Sequence, residues 1–252
     1  MQIITDALIL RAGKPLGEAD RRLTALSREH GILYANARGV RKINNRNASP
    51  TSLLAYSRLT LVPSRTGTYI VTDAQPLRVF FELRRDVVAL ALAQYWCELA
   101  CALCPADESA DEPLRLLLNA LHFLCEDSRP HPLLKALVEL RLLAGAGYAP
   151  ALDVCVRCGS DADLGHLLPR EGGGCCASCG QQHVPFTSSE VWYSLSAAAL
   201  QTLRLFASAP LQTAFGVQLS SKTLPILADA VEAFTLERLG RRFASLELYK
   251  TM

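Results

Sequence analysis

The chain has 252 residues, of which 50% are hydrophobic and 20% charged, and its formal net charge is +2. This composition excludes a disordered protein, which would be less apolar, and a fibrous protein, which would need more than 15 Gly and 13 Pro. The longest nearly apolar run, residues 87–96, is far shorter than the roughly 20 residues that span a bilayer. The first residues also lack the pattern of a signal peptide, so we expect a cytoplasmic protein with no membrane contact.

The small net charge hides an uneven distribution of charged residues. Residues 1–80 contain twelve Lys or Arg against five Asp or Glu, whereas residues 81–252 contain fourteen against nineteen. A basic segment in a nearly neutral chain is typical of a polyanion-binding surface; the alternative is a solvated surface that only improves solubility. We therefore expect the N-terminal third to bind nucleic acid. The seven residues predicted to contact it are Arg21, Arg22, Arg28, Arg38, Arg41, Lys42 and Arg46.

The first 75 residues have the pattern of β-strands. Apolar runs separated by polar turns predict strands over 3–10, 21–26, 32–36, 53–62 and 68–72. Five short strands with a long polar connection over 38–50 are typical of a small closed barrel of the OB type, which often binds nucleic acid. Tyr34, Tyr56 and Tyr69 are candidate stacking platforms for bases, although burial in the barrel would explain each of them equally well.

After Pro76 the spacing of apolar residues becomes helical. It predicts helices over 77–104, 113–125, 132–144, 188–207 and 223–246. The predicted fold class is therefore α+β: an N-terminal five-stranded OB-type β-barrel followed by an α-helical domain with an inserted four-cysteine zinc ribbon. The predicted domains are 1–78 for the barrel, 79–150 with 186–252 for the helices, and 151–185 for the ribbon.

The nine cysteines are odd in number and clustered, which favours metal binding over disulfides. Cys155 and Cys158 form one C-x2-C pair, and Cys176 and Cys179 form a second pair after 17 intervening residues. Two such turns bring four thiolates around one ion, which is the pattern of a zinc site. Because four protein ligands leave no open coordination position, we expect structural Zn²⁺ rather than a catalytic metal.

Several points about the cysteines stay open in the sequence. A redox dithiol or four metal-free buried thiols are alternatives to zinc. Cys175 competes with Cys176 as the third ligand, and the two-residue spacer favours Cys176. Gly159 and Gly180, which directly follow the two pairs, are expected to let the backbone curl toward the sulfurs. The remaining cysteines, expected to pack as small apolar side chains, are Cys97, Cys101, Cys104 and Cys125.

The sequence contains no recognisable catalytic motif. It has no phosphate-binding loop, no nucleophile elbow and no H-E-x-x-H motif, and its five histidines are scattered. We therefore expect a protein that is not an enzyme.

Two stretches of the chain resemble the bacterial recombination-mediator family RecO. One is residues 17–31, GEADRRLTALSREHG, and the other is residues 139–152, ELRLLAGAGYAPAL, which runs into the first C-x2-C-G motif. The resemblance extends over nearly the whole chain and is weakest near its C-terminal end. Some members of this family lack part of the cysteine set, whereas this chain has both pairs.

The resemblance implies DNA repair through homologous recombination. Members of the family bind single- and double-stranded DNA without sequence preference, anneal complementary strands and, with RecR, load RecA onto strands coated by single-stranded-DNA-binding protein (SSB). The implied partners are DNA, RecR and the C-terminal tail of SSB, and the implied location is the nucleoid. The residues alone leave three alternatives: an OB-fold zinc-ribbon RNA-binding or transcription factor, a nuclease, and a scaffold that binds a protein partner.

Overall fold

The computed structural model describes residues 2–13, 20–40, 42, 45–161, 163–181 and 191–252. The chain forms two compact units, Met1–Glu126 with Ala244–Met252, and Asp127–Phe243. The first unit contains the five strands of a barrel, and the second contains the four-cysteine ribbon. Within the described ranges, no helix is both long enough and apolar enough to cross a bilayer.

Five strands open the first unit. They are β1 (Ile3–Ala12), β2 (Arg21–Ser27), β3 (Gly31–Ala37), β4 (Ala55–Pro63) and β5 (Tyr69–Val79). They close into a barrel in the order β1-β2-β3-β5-β4, in which β3 and β5 are parallel and all other neighbours are antiparallel. The predicted five-stranded barrel is confirmed.

The alternation of side chains in β2 shows why this sequence forms a barrel wall. Leu23 and Ala25 are buried in the barrel core, whereas Arg22, which precedes Leu23 on the same strand, is exposed to solvent. Successive residues of a strand point to opposite faces, so one strand can supply both surfaces. The register places Arg22 opposite Asn36 of β3. A polar outer face therefore continues from β2 to β3.

Strand β4 begins later than the prediction of 53–62. Leu54 has a left-handed backbone conformation, with φ of 63°, and its amide donates to the carbonyl oxygen of Ile9 at 2.9 Å. This bend keeps residue 53 out of the strand, which starts at Ala55.

The helix predicted to begin at residue 77 begins instead at Val87. Residues 77–79 remain in β5 and pair with β4, and a short 3-10 helix (Phe81–Arg85) follows. The helix α1 (Val87–Leu103) then starts at a cap, because the Asp86 carboxylate accepts hydrogen bonds from two first-turn N–H groups at 2.9 and 3.1 Å. The prediction was wrong because a short apolar run fits a strand as well as a helix.

The helices predicted over 113–125 and 132–144 are confirmed. The first is α2 (Asp111–Cys125), and the second is α3 (His131–Gly145), which opens the second unit. The later elements of that unit are β6 (Leu164–Leu168), β7 (Gly173–Cys176), α4 (Ala177–Gln181), β8 (Tyr193–Ser194), α5 (Ala197–Ser208), α6 (Leu211–Phe215) and α7 (Thr223–Leu239). Helix α3 packs against α5 and α7, and β6 pairs with both β7 and β8.

Two C-terminal helix predictions need correction. The helix predicted over 188–207 begins at Ala197, where the Ser196 hydroxyl caps the first turn; residues 188–190 lie outside the described residues. The helix predicted over 223–246 ends at Leu239, because Gly240 takes a left-handed conformation with φ of 58°. A separate helix, α8 (Ala244–Lys250), follows and packs against α1 in the first unit.

A charged triad lies in the interior of the second unit. The Lys135 ammonium on α3 is 3.1 Å from Oε1 of Glu139 on α3 and 2.8 Å from Oε2 of Glu232 on α7. Lys135 is 3% exposed and Glu139 is fully buried. Burial alone would lower the pKa of Lys135, but the two carboxylates outweigh it and raise that pKa above its usual value. The triad therefore joins α3 and α7 by charge inside the core of the second unit.

Candidate metal centre and nucleic-acid interface

The four predicted zinc ligands come together in the ribbon. Cys155 and Cys158 lie in the loop before β6, Cys176 ends β7, and Cys179 lies in α4. Their Sγ atoms all lie within 4.8 Å of one another, and those of Cys158 and Cys176 are 3.9 Å apart. A tetrahedral zinc ion about 2.3 Å from each sulfur would separate the sulfurs by about 3.8 Å. The four thiols therefore fit the donor set and spacing of a structural zinc site.

The two glycines after the cysteine pairs have different roles. Gly159 takes a left-handed conformation with φ of 70°, and its amide donates to the Cys155 carbonyl oxygen at 2.8 Å, as the predicted curl requires. The same prediction for Gly180 was wrong, because Gly180 lies inside α4. A Cβ atom there would lie 2.4 Å from Nδ1 of His166, so close packing rather than backbone conformation requires this glycine.

Backbone hydrogen bonds favour ionisation of one thiol of the cluster, that of Cys155. Burial raises the pKa of Cys155, but hydrogen bonds from the backbone amides of Cys158, Cys176 and Arg157 outweigh it and lower that pKa to about 6. Hydrogen bonds with the sulfurs of Cys158 and Cys176 raise the pKa of Cys179 to about 12. Without a cation, four adjacent thiols cannot all be thiolates, so binding of a divalent metal would release protons.

The structure separates Cys175 from the cluster. Cys175 precedes Cys176 on β7, and neighbouring side chains on a strand point to opposite faces. Cys175 is fully buried and lies opposite His166 in the register with β6. Burial raises the pKa of its thiol to about 11. Cys176, as the spacing predicted, is the cysteine that joins the other three sulfurs; His183, the other nearby histidine, lies outside the described residues.

Two arginine contacts that the sequence analysis missed hold the ribbon in shape. Nε of Arg157 donates to both carboxylate oxygens of Glu171 at 2.9 and 3.0 Å, which ties the first cysteine turn to the hairpin between β6 and β7. Arg238 on α7 donates to the carbonyl oxygens of Pro169 (3.0 Å) and Arg170 (2.8 Å) in that hairpin. Only the tertiary structure pairs these residues, because each contact joins distant segments of the chain.

The seven predicted DNA-contacting residues differ in whether their charged groups already form ion pairs within the protein. Arg22, Arg38 and Lys42 are exposed, and none of them pairs with an acidic group in the part of the chain that the structure describes. Arg28, by contrast, forms an ion pair with Asp111 on α2, with Nε and Oδ1 3.0 Å apart.

The other members of this set either have partners within the protein or lie outside the residues that the structure describes. Arg46 forms an ion pair with Asp73 at 2.9 Å. Arg21 donates to two backbone carbonyls of the connection between β3 and β4, at 3.2 and 3.1 Å, and so holds that connection in place. Arg41 lies outside the described residues.

A groove crosses the outer face of the barrel beside the exposed arginines. It has two parts, of about 580 and 460 Å³, which share residues of β3 and of the turn between β4 and β5. In OB barrels, oligonucleotides bind on the face of strands 2 and 3 and on the adjacent loops, which include the loop between strands 4 and 5. The principal side chains around this groove are Arg22, Tyr34, Asn36, Arg38, Arg65 and Thr68.

Arg65 is a residue that the sequence analysis left out of the predicted contacts. It lies in the turn between β4 and β5, is exposed, and has no ionic partner among the described residues. The sequence signal was present, because this turn is flanked by Pro63 and Gly67. Recognising it as the fourth loop of an OB barrel would have added Arg65 to the set.

The three candidate tyrosines are also distinguished by the fold. Tyr34 is 53% exposed and lies in the groove. Tyr69 packs against the barrel core, as the burial alternative required. Tyr56 is half-buried on β4, opposite Leu8 of β1. Tyr34 is therefore the tyrosine with a face available beside the exposed arginines.

Sequence comparison identifies the family. The family described as "Recombination protein O C terminal" matches residues 84–247, and the one described as "Recombination protein O N terminal" matches residues 1–80. The chain belongs to the RecO family. The resemblance seen in the sequence is thereby confirmed, and membership in the RecO family assigns the chain to DNA repair and recombination.

Curated relatives in the RecO family extend over nearly the whole chain. A "DNA repair protein RecO" from Symbiobacterium thermophilum is 34% identical over 98% of this chain and 96% of its own length. One from Desulforudis audaxviator is 30% identical over 100% of this chain and 97% of its own length. One from Acetivibrio thermocellus is 26% identical over 94% of this chain and 92% of its own length.

Proposed function

We propose that this chain is a non-enzymatic recombination mediator that binds single- and double-stranded DNA on the outer face of its barrel. The observation that carries the proposal is the groove, where Arg22, Arg38 and Arg65 are exposed and lack ionic partners among the described residues. Arginine binds phosphate through paired hydrogen bonds, and contacts to the phosphate backbone carry no sequence information. The contacts that we propose are the members of the predicted set without an acidic partner among the described residues, Arg22, Arg38 and Lys42, with Arg65 added.

Annealing follows from the same electrostatics and needs no covalent chemistry. Two complementary strands repel each other, and a basic surface that holds phosphates lowers this repulsion. Bound arginines replace condensed counterions, so the free energy of binding depends strongly on salt concentration. The protein would ignore sequence during this step because base pairing itself supplies the recognition.

The four clustered cysteines would hold a structural Zn²⁺ ion. When bound, zinc would cross-link the loop before β6 to the end of β7 and to α4 without taking part in any reaction. The proposal rests on the mutual approach of the four sulfurs within 4.8 Å. The three-domain division of barrel, helices and ribbon remains a prediction.

Family membership supports the proposed partners. We propose that the chain acts with RecR to load RecA onto SSB-coated strands, that it contacts the C-terminal tail of SSB, and that it resides at the nucleoid. Each of these proposals rests on the assignment to the RecO family.

Replacing Arg22, Arg38 and Arg65 together with Ala is expected to weaken DNA binding and its dependence on salt. Each lost phosphate contact on a single strand reduces the slope of log Kobs against log salt by about 0.7, so the triple variant should lose about 2 in slope. The measurement is fluorescence anisotropy of a labelled oligodeoxynucleotide over a series of salt concentrations.

A second triple variant is a control with the same change in net charge. Arg28, Arg46 and Arg58 are each paired with an acidic side chain, the last with Asp6 at 2.8 Å. Their replacement by Ala should leave the salt slope unchanged. Equal loss of slope in the two variants would show that overall charge rather than the groove drives binding. Tighter binding to RNA of equal length would favour the RNA-binding alternative.

Strand annealing tests the mediator function directly. The chain should accelerate pairing of complementary SSB-coated oligonucleotides, and addition of RecR should increase loading of RecA on the coated strand. The groove triple variant should lose acceleration in proportion to its loss of DNA affinity. Annealing that is equally fast with and without the chain would contradict the proposal, and so would cleavage of labelled DNA that co-purifies with the protein.

A further inference from the structure

Tyr34 presents an aromatic face on the outside of the barrel. It lies on β3, with Thr24 of β2 opposite it in the register, and its side chain is 53% exposed. An aromatic ring with this exposure keeps much of its apolar surface in contact with water, which burial against a planar ligand would relieve. The ring lies two residues from Asn36, so both side chains project from the same face of β3.

Asn36 lies between the two parts of the groove and lines both. Its Oδ1 atom is buried and has no hydrogen-bond partner in the described part of the chain, and its Nδ2 atom donates to Oγ1 of Thr68 across a long 3.4 Å. Rotating the carboxamide by 180° exchanges the positions of Oδ1 and Nδ2. The Thr68 hydroxyl can then donate to Oδ1, but Nδ2 takes the buried position and is left without a partner. A buried polar atom without a partner is unusual and costs stability unless a ligand or water satisfies it.

The surroundings of Asn36 suit a nucleotide. Arg22 lies directly opposite it on β2 and has no ionic partner among the described residues. On the other side, the hydroxyl groups of Ser64, Thr66 and Thr68 are hydrogen-bonded to one another at 2.8–3.2 Å and form a polar edge. The nearby Asp20 carboxylate already accepts a hydrogen bond, at 2.8 Å, from the amide of residue 39.

We infer that this part of the groove is a subsite for one unpaired nucleobase, which stacks on Tyr34 and hydrogen-bonds through its pairing edge to Asn36. The inference rests on the proposed function and assigns its groove a preference for unpaired strands. A base in a duplex has both faces stacked and its edge paired, so it cannot enter the subsite. Every base presents donors or acceptors on that edge and has a π-face, so the subsite needs no particular sequence.

The subsite would favour release of the paired product over rebinding of it. A base held by Tyr34 and Asn36 must leave before it can pair, and the duplex that forms cannot return to the subsite. The arginines around the groove would still hold phosphates of either form. Single strands are therefore bound more tightly than the duplex product, which is released.

The test compares a deoxythymidine oligomer with an oligomer of equal length made of abasic nucleotides, both with the same number of phosphates. The full-length protein should bind the base-containing strand about 5- to 150-fold more tightly, which corresponds to stacking of one base. Tyr34→Ala should remove most of this ratio, and Tyr34→Phe should keep it because phenylalanine retains the ring face. Because the ratio is compared between variants, differences in backbone flexibility between the two oligomers cancel.

Asn36→Leu, which preserves side-chain size, should reduce the same ratio by about 2- to 10-fold, as expected for one lost hydrogen bond. Arg22→Ala is the matched control and should weaken both oligomers equally, leaving the ratio unchanged. A ratio that is the same in Tyr34→Ala and in the unmodified protein would overturn the subsite while leaving DNA binding intact. Binding of both oligomers that is insensitive to every groove arginine would instead overturn the proposed function.

Discussion

Replacing Cys176 with Ala is expected to abolish zinc binding, whereas replacing its neighbour Cys175 with Ala should leave one zinc ion per chain. The sulfur of Cys176 lies within 4.8 Å of those of its three partners, and the Cys175 side chain points to the opposite face of β7. Loss of an outer hydrogen-bond partner of a metal ligand already costs about 10–100-fold in metal affinity, so loss of a ligand must cost more.

This pair of variants separates metal binding from packing. Cys175 is 0% exposed and Cys176 is 7% exposed, so packing alone predicts that the Cys175 variant loses more stability. Metal ligation predicts the reverse order. Metal analysis of the purified proteins and thermal unfolding with and without a strong chelator provide the two readouts. Zinc retained in the Cys176 variant and lost in the Cys175 variant would reassign the third ligand.

Replacing Lys135 with Met is expected to lower the free energy of unfolding by about 3–5 kcal/mol, because it removes the ammonium group that pairs with two buried carboxylates. Glu139 is fully buried, and both carboxylates lie within 3.1 Å of the lysine ammonium. Methionine has nearly the length of the lysine stem, so the loss measures charge more than packing volume. Urea denaturation followed by circular dichroism gives the change.

Two controls keep this result specific to the triad. Lys222 is exposed, and Lys222→Met should change stability by less than about 0.5 kcal/mol. Adding Glu139→Gln and Glu232→Gln to Lys135→Met should restore much of the loss, since the two carboxylate charges that the lysine paired with are then removed as well. A triple variant as unstable as Lys135→Met alone would show that the triad acts through packing.

The pH dependence of the triad follows from the direction of its pKa shift. In the intact protein the folded state raises the pKa of Lys135, so its contribution is complete below the lysine's ordinary pKa of about 10.4 and is lost as pH rises through the higher folded value. The deficit in stability of Lys135→Met should therefore be largest below about pH 10 and should shrink as pH rises further, because the intact protein then loses the contribution of Lys135.

Structural features that depend on residues close together in the sequence could be predicted. The alternation around Leu23 and Ala25 gave the barrel wall, and the two C-x2-C pairs gave the metal-ligand set, since both depend on spacing along one segment. Boundaries were harder to predict where two local preferences competed. Residues 77–79 are apolar enough for a helix, and their pairing with β4 decided in favour of the strand.

Which basic residues are available to a ligand could not be predicted from the sequence. Arg28 and Arg38 look alike there, yet Arg28 is paired with Asp111, which is 83 positions away in the chain. The unsatisfied amide of Asn36 cannot be read from the sequence for the same reason, because its environment comes from four strands and a turn.

The sequence by itself determined the barrel, the helical remainder, the four-cysteine cluster and the family, because each is written in the spacing of residue types within a segment or in similarity to relatives. Only the tertiary structure decided which arginines are already paired, and that Tyr34 and Asn36 share a groove with Arg22 and with the turn between β4 and β5. These properties depend on distances between segments remote in the chain, which folding alone brings within the few ångströms over which hydrogen bonds and ion pairs act.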